Sequence, residues 1–253
     1  MVQQSLDFLT TFPMLDGGVF RTEYDIDEKN YNGGDHVSCG QAMYNLAKAI
    51  ENGRKSKKYD TLKWEEFLRK TADAQSRRIL DELWNPHSTA EAFYIAPLIM
   101  ASKLFKQERY RKAAEKTSNL YAERHCNMTL GCYWGGTLDA TCEDKEGAWA
   151  AFQGFLEMYE RIGEQKYLKW AKHAMDVCLS YVVVWDIPLP AGRMADHRFK
   201  TTGWSVVSPQ NQHIDVYGVL FAPEVYKMGN YLKDERLKKL AKVMYRSCYQ
   251  LVD

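Results

Sequence analysis

Apolar residues recur at helical spacing along most of this 253-residue chain, and the pattern changes character from one segment to the next. Up to about residue 34 the sequence carries DGG and NYNGGD with no clear period, which reads as mainly loop. Val37, Met43, Tyr44, Leu46, Ala47 and Ile50 then share one helical face, and the Asn52-Gly53 pair predicts its end. Trp64, Phe67, Leu68, Thr71, Ala72, Ile79, Leu80 and Leu83 mark a longer helix whose other face is charged. Residues 90–105 are apolar almost all round, with Pro97 expected to bend or break them, whereas residues 108–125 are strongly one-sided. The alternation returns with 147–162 apolar on most faces, 165–184 one-sided at its start, and two last helices over 215–228 and 234–252.

Helices apolar on every face belong inside a fold, and one-sided helices outside it. KQERYRKAAEK, GEQKYLKWAKH and LKDERLKKLAK each combine a charged entry, a large residue near the first turn and alanine one turn later. They form a weak helical-hairpin repeat of roughly 55 to 70 residues. No strand-rich region intervenes. The expected fold is all-α, an array of about four inner and outer helix pairs over residues 35–253, preceded by a mainly loop segment over 1–34.

The two kinds of connection differ in content. Links from inner to outer helix, such as FKQER, IGEQKY and MGNYLKDER, are short and charged, as ordinary hairpin turns are. Links from outer to inner helix are long or unusual: NYNGGDHVSCGQ, LWNPHSTAEA, HCNMTLGCYWGGTLDATCEDKEGA and residues 185–218. In an up-and-down array every second link falls on the same rim, so these four meet at the N-terminal ends of the inner helices. The third is the most polar, and it runs straight into an apolar helix whose N-terminal dipole and free amides suit carboxylates and oxygen-rich ligands.

Composition narrows the partners. Lys plus Arg number 34 against 33 Asp plus Glu, so no bulk field draws the chain to nucleic acid or an anionic membrane. The longest apolar run, at 182–185, is too short to span a bilayer, and MVQQSLDFLTTF lacks the basic-then-apolar order of a signal peptide. As written the sequence implies a soluble, cytoplasmic protein; a chain trimmed of a leader would be periplasmic or extracellular. Oligomeric state is left open. Six cysteines in a chain this long are no disulfide framework. Cys126, Cys132 and Cys142 with His125 approach metal-ligand composition, but no CxxC or HxxxH spacing is present, and neither metal nor cofactor is expected.

The rim gathers Asp35, His36, Glu91, Trp134, Asp139, Asp144, Glu146, Asp196, Arg198, Trp204, Gln210, Gln212, His213 and Asp215. Paired carboxylates serve glycosidic cleavage, one protonating the leaving oxygen while the other activates water or attacks carbon. Asp144 or Glu146, facing Asp215 or Asp35, is the candidate catalytic set. Trp134 and Trp204 suit stacking on sugar rings. His36, Asp139, Arg198, Gln210, Gln212 and His213 suit hydroxyls or a uronate carboxylate. Structural roles compete with each: Asp35, Asp144 and Asp215 as helix caps, His36 and His213 as satisfied loop histidines, Arg198 in a surface ion pair.

The segments GGDHVSCGQ (33–41), CEDKEGAW (142–149) and TTGWSVVSPQNQHIDVYG (201–218), set on alternating inner and outer helices, resemble the six-hairpin glycosidase superfamily, in particular poorly characterised bacterial members of it. The resemblance implies an (α/α)6 toroid with carboxylates at the inner N-termini doing acid and base work, commonly with inversion. It implies an oligosaccharide or polysaccharide substrate and no obligatory cofactor. About four pairs do not close a six-pair ring, so an incomplete barrel is expected: a fragment of a longer enzyme, or a chain whose first 34 residues and long loops cover the gap. Glycoside hydrolysis is the expected activity. Its rivals are a polysaccharide lyase, with His36 or His213 and Tyr217 abstracting a proton beside a uronate, a sugar epimerase of the same fold, and a helical scaffold that binds saccharide without turnover.

Overall fold

Residues 1–86, 88–127, 143–208 and 213–251 are described by the structure, a computed structural model. The first 34 residues carry more regular structure than the expected loop: helix α1 (Val2–Leu9), a 3-10 turn at Asp16–Gly18, and a hairpin of β1 (Glu23–Asp25) and β2 (Asn30–Asn32). This segment closes over the first helix pair, α2 (His36–Ser56) and α3 (Leu62–Leu80). Phe20 meets Phe67 edge-on at 5.1 Å, the Trp64 indole N–H donates to Asp7 at 2.8 Å, and the Gln75 amide donates to the Gly18 carbonyl at 2.5 Å.

The remaining pairs follow in order. A 3-10 turn over Thr89–Tyr94 runs into α4 (Ile95–Phe105), which turns back as α5 (Glu108–Tyr121) and ends in a π turn over Ala122–Cys126. Next come α6 (Lys145–Ile162) and α7 (Gln165–Ser180), then the short α8 (Arg193–Asp196). Strands β3 (Ser205–Val206) and β4 (Ile214–Asp215) pair antiparallel ahead of α9 (Gly218–Tyr231) and α10 (Glu235–Ser247). The fold is an all-α toroid of inner and outer helices.

Burial sorts the helices as their patterns require. Helix α6 is buried without a break from Gly147 to Met158, while α10 buries only Ala241 and Met244. Each large side chain wholly inside, such as Phe152, Phe155 or Ile99, contributes about 1.5–3 kcal/mol. Helices α2, α4, α6 and α9 touch in sequence order, and α2 reaches α9 through Tyr44 and Glu224. Glycines let their backbones approach: a Cβ on Gly40 of α2 would collide with Phe93, and one on Gly154 of α6 would stand 2.6 Å from Ile95. Gln153 of α6 donates to the Leu220 carbonyl of α9 at 3.2 Å, and Tyr44 of α2 donates to Glu224 of α9 at 3.2 Å.

Three expected boundaries move, each for a local reason. Helix α2 continues through Asn52-Gly53 to Ser56 and ends in the left-handed residue Lys57. Gly53 is there for packing, since a Cβ would stand 2.6 Å from the Thr61 methyl. Pro97 does not break its helix, because it lies in the first turn of α4, where an amide has no carbonyl four residues back; the change of path falls earlier, at the 3-10 to α junction. The last inner helix starts at Gly218 rather than 215, because residues 214–215 pair with 205–206.

Candidate functional site at the inner helix N-termini

Three inner segments begin on a side-chain oxygen that caps the first turn, and before α9 Asp215 accepts a backbone amide from the turn that leads into the helix. Asp35 accepts from the Ser38 N–H at 2.7 Å, Ser88 from Ala90 at 3.1 Å, Asp144 from Gly147 at 2.8 Å, and Asp215 from Tyr217 at 3.0 Å. These starts adjoin one another in sequence order. His36 shares a 2.7 Å hydrogen bond with the Tyr94 hydroxyl, Gly147 packs so tightly on Thr89 that a Cβ would overlap it, and Lys145 pairs with Asp215. These three contacts link the four starts in sequence order.

Lys145 is the least expected member. It is the first residue of α6, where the helix dipole disfavours a cation, and it is completely buried. Asp215, whose side chain is 12% exposed, forms an ion pair with it, and the Ser205 hydroxyl lies 3.3 Å from the ammonium. Ser205 in turn donates to Asp215 at 2.6 Å, and the Tyr217 ring lies 5.4 Å from the lysine nitrogen. The carboxylate of Asp215 is thereby taken up by Lys145, Ser205 and the Tyr217 amide. Removing one partner of such a buried pair costs about 3–5 kcal/mol, because the other charge is left uncompensated.

An aromatic group stands beside this pair. Trp149 meets Phe93 edge-on at 5.5 Å and lies 6.5 Å from Tyr217, a residue 44% exposed. On the far side of the rim, Arg78 donates to both oxygens of Glu91, at 2.9 and 2.5 Å, and stacks at 5.4 Å over Tyr94. Burial, then the nearby Arg78, hold the His36 pKa below its ordinary value, and burial drives the Tyr94 pKa well up. A protonated tyrosine donating to Nδ1 of a neutral His36 leaves the ring proton on Nε2.

Behind the start of α6 lies a second polar group. Glu143, with a side chain 7% exposed, accepts from the Tyr121 hydroxyl at 3.1 Å and lies 3.2 Å from Nε2 of His173. Nδ1 of His125 is 4.0 Å away, and the Tyr181 hydroxyl donates to the Glu143 carbonyl at 2.9 Å.

The other candidates distribute unevenly. Asp144 is fully buried, and Glu146 is partly so in the first turn of α6. Asp35 and His213 are exposed. Trp204 is 7% exposed, with its ring edge-on to Phe199 at 4.8 Å, which makes it a packing residue in this arrangement. Arg198 and Asp196 are exposed on and after α8, and among the described residues no hydrogen bond or ion pair ties them to the four helix starts. Trp134, Asp139, Gln210 and Gln212 lie outside the described residues, as do Cys132 and Cys142. No group of three His, Cys, Asp or Glu among the described residues is arranged to hold a metal ion, and no described helix is long and apolar enough to cross a membrane. Sequence reasoning passed over Tyr94, Ser205 and the pairing of Lys145 with Asp215. For Lys145 a signal existed, a lysine at the first position of an otherwise apolar inner helix.

No protein-family model matches the chain, and no curated protein matches it. Solved structures do match over nearly its full length, and they share its all-α toroid fold. The α-1,6-mannanase GH76A of Salegentibacter sp. HEL1_6, an inactive variant with two consecutive aspartates substituted, in complex with α-1,6-mannotriose, aligns with TM-score 0.64 at 13% identity, covering 98% of this chain and 69% of that one. The GH76 α-mannanase BT2949 of Bacteroides thetaiotaomicron aligns with TM-score 0.59 at 12% identity, covering 98% and 70%. An unsaturated glucuronyl hydrolase specific for heparin aligns with TM-score 0.53 at 12% identity, covering 97% and 81%.

Proposed function

We propose that the protein is a glycoside hydrolase that binds an oligosaccharide at the rim formed by the four inner-helix starts. Asp144 and Glu146, in the cap and first turn of α6, are the catalytic carboxylates of this reading. The observation that carries it is a pair of carboxylates at the start of an apolar inner helix, in a fold shared with glycoside hydrolases. One carboxyl would protonate the departing glycosidic oxygen while the other activates water or attacks the anomeric carbon. The exposed Tyr217 beside Trp149 supports stacking on a pyranose face. Asp215 is read as a brace, because Lys145 and Ser205 occupy its oxygens.

The mannanase likeness adds one detail. The inactive mannanase variant carries substitutions at two consecutive aspartates, and this chain has the consecutive carboxylates Glu143 and Asp144 at the start of α6. That supports α-1,6-linked mannooligosaccharides as the first substrates to try, with uronate-containing oligosaccharides second. Chromatographic product analysis of the purified chain on both sets tests the reading. Saturated products that disappear in Asp144→Asn or Glu146→Gln are expected, and unsaturated products would indicate a lyase instead.

The complete burial of Asp144 and the occupied oxygens of Asp215 favour a second reading, a scaffold that binds saccharide without turnover. Calorimetric binding of mannotriose with no product after prolonged incubation would select it.

A further inference from the structure

Glu143 and Asp144 are neighbours in sequence with opposite surroundings. Asp144 has extended backbone, φ −86° and ψ 168°, and in extended chain consecutive side chains leave on opposite sides. Asp144 turns to the helix and caps Gly147. Glu143 turns away from the inner ring into a pocket made by the outer helices: Tyr121 of α5, His173 of α7, and Tyr181 just past α7, whose hydroxyl holds the Glu143 backbone carbonyl.

We propose that Glu143 is a positioning residue, clamped from behind by Tyr121, His173 and Tyr181 so that Asp144 is presented at the start of α6. This rests on the reading of Asp144 as a catalytic carboxylate. The clamp also makes the site sensitive to pH. The hydrogen bond to Glu143 is the largest influence on His173 and raises its pKa, with Asp176 adding to the rise and Lys172 opposing it. His125, the other histidine facing Glu143, is pushed down to about 3, chiefly by burial and then by His173 and Arg124, and stays neutral. The remaining titratable groups around Glu143 are Tyr121, Cys126 and Cys178, whose pKa values burial raises, so that they stay protonated. His173 is therefore the group that switches: the charged clamp is present below its raised pKa and is lost as pH climbs through it.

The test uses the full chain and the variants Glu143→Gln, His173→Gln and Tyr181→Phe, with NMR titration of the histidines, thermal melting and the pH profile of hydrolysis. In Glu143→Gln the His173 pKa should fall back toward about 6.5, and kcat should drop about 10-fold with KM kept, against about 10²–10⁴-fold for Asp144→Asn. His173→Gln should lose an alkaline limb that the wild type shows. Tyr181→Phe removes only the hydroxyl on the backbone carbonyl, so it carries the test should Glu143→Gln not fold; a kcat loss of about 3-fold with KM kept is expected. If Glu143→Gln abolishes turnover as fully as Asp144→Asn while the His173 titration and melting temperature stay put, the proposal is overturned and Glu143 is itself catalytic. If the wild type turns over no sugar, the hydrolase reading fails by itself. An unmoved His173 titration in Glu143→Gln would still refute the clamp.

Discussion

The two ends of the inner helices are both rich in charge, and they use it differently. At the C-terminal end a cavity of about 600 Å³ lies among α2, α6 and α9. There three of the four lining cations have a carboxylate partner on a neighbouring helix: Lys48 with Glu224 at 3.0 Å, Arg161 with Glu51 at 2.9 Å and also with Glu157 of its own helix at 2.9 Å, and Lys227 with Glu160 at 3.0 Å. At the N-terminal end Asp35 and Asp144 accept backbone amides, and Asp215 accepts one beside its contacts with Lys145 and Ser205. Pairs between side chains close the bottom of the array, and carboxylates that accept backbone amides shape part of its top. The number of charges alone does not mark a site; what matters is whether the partner is another side chain or the end of a helix.

The largest effect that would separate the two ends is on activity. Asp144→Asn should lower turnover by about 10²–10⁴-fold with little change in melting temperature, since asparagine also caps a helix. Retained turnover would remove Asp144 from the chemistry. Next comes the buried pair. Lys145→Met should cost about 3–5 kcal/mol in denaturant unfolding, and Lys145→Met with Asp215→Asn should recover most of that; additive losses would mean that the two residues are not coupled.

At the lower end, Arg161→Met should cost about 1–3 kcal/mol by stranding Glu51 and Glu157, while turnover stays within about twofold of wild type. A large loss of activity there would erase the distinction between the ends. The smallest change is expected at the exposed edge of that same lower end. Arg54→Ala, which breaks an exposed pair with Glu65 at 2.6 Å, should shift stability by less than about 1 kcal/mol.

Acid supplies a further contrast, because the lower end pairs only lysine, arginine and glutamate. His125 is pushed down to about 3 behind the upper end. The unfolded chain takes up its proton near pH 6.5 and the folded chain does not, so this residue alone makes stability fall as pH drops from about 6.5 toward 3. His173, raised by Glu143, acts in the opposite sense. His125→Gln should flatten the acid slope of the melting temperature, and an unchanged slope would show that His125 is protonated in the fold.

Much of the architecture was legible because helix periodicity is local. The unbroken apolar character of 147–162 marks α6 as an inner helix, and the one-sided pattern of 108–125 and 165–184 marks α5 and α7 as outer ones. Failures came where a residue has two uses. Gly53 looks like a stop, yet its missing side chain makes room for Thr61; Pro97 looks like a break, yet it sits where a helix needs no amide. The candidate site was half legible for the same reason. Asp35, Asp144 and Asp215 are recognisable before helix starts, but no spacing reports that Asp215 is paired with Lys145 across seventy residues, or that Trp204 is turned against Phe199.

By itself the sequence determined the all-α class and the alternation of inner and outer helices, because both follow from period and from the order of links. Only the tertiary structure decided which carboxylates are taken up and by what. Glu143 and Asp144 show why: they are adjacent in the chain, but an extended backbone sends one to the outer helices and the other to a helix cap. Partners contributed by α5, α7 and the stretch after α8 meet them only when the chain is folded.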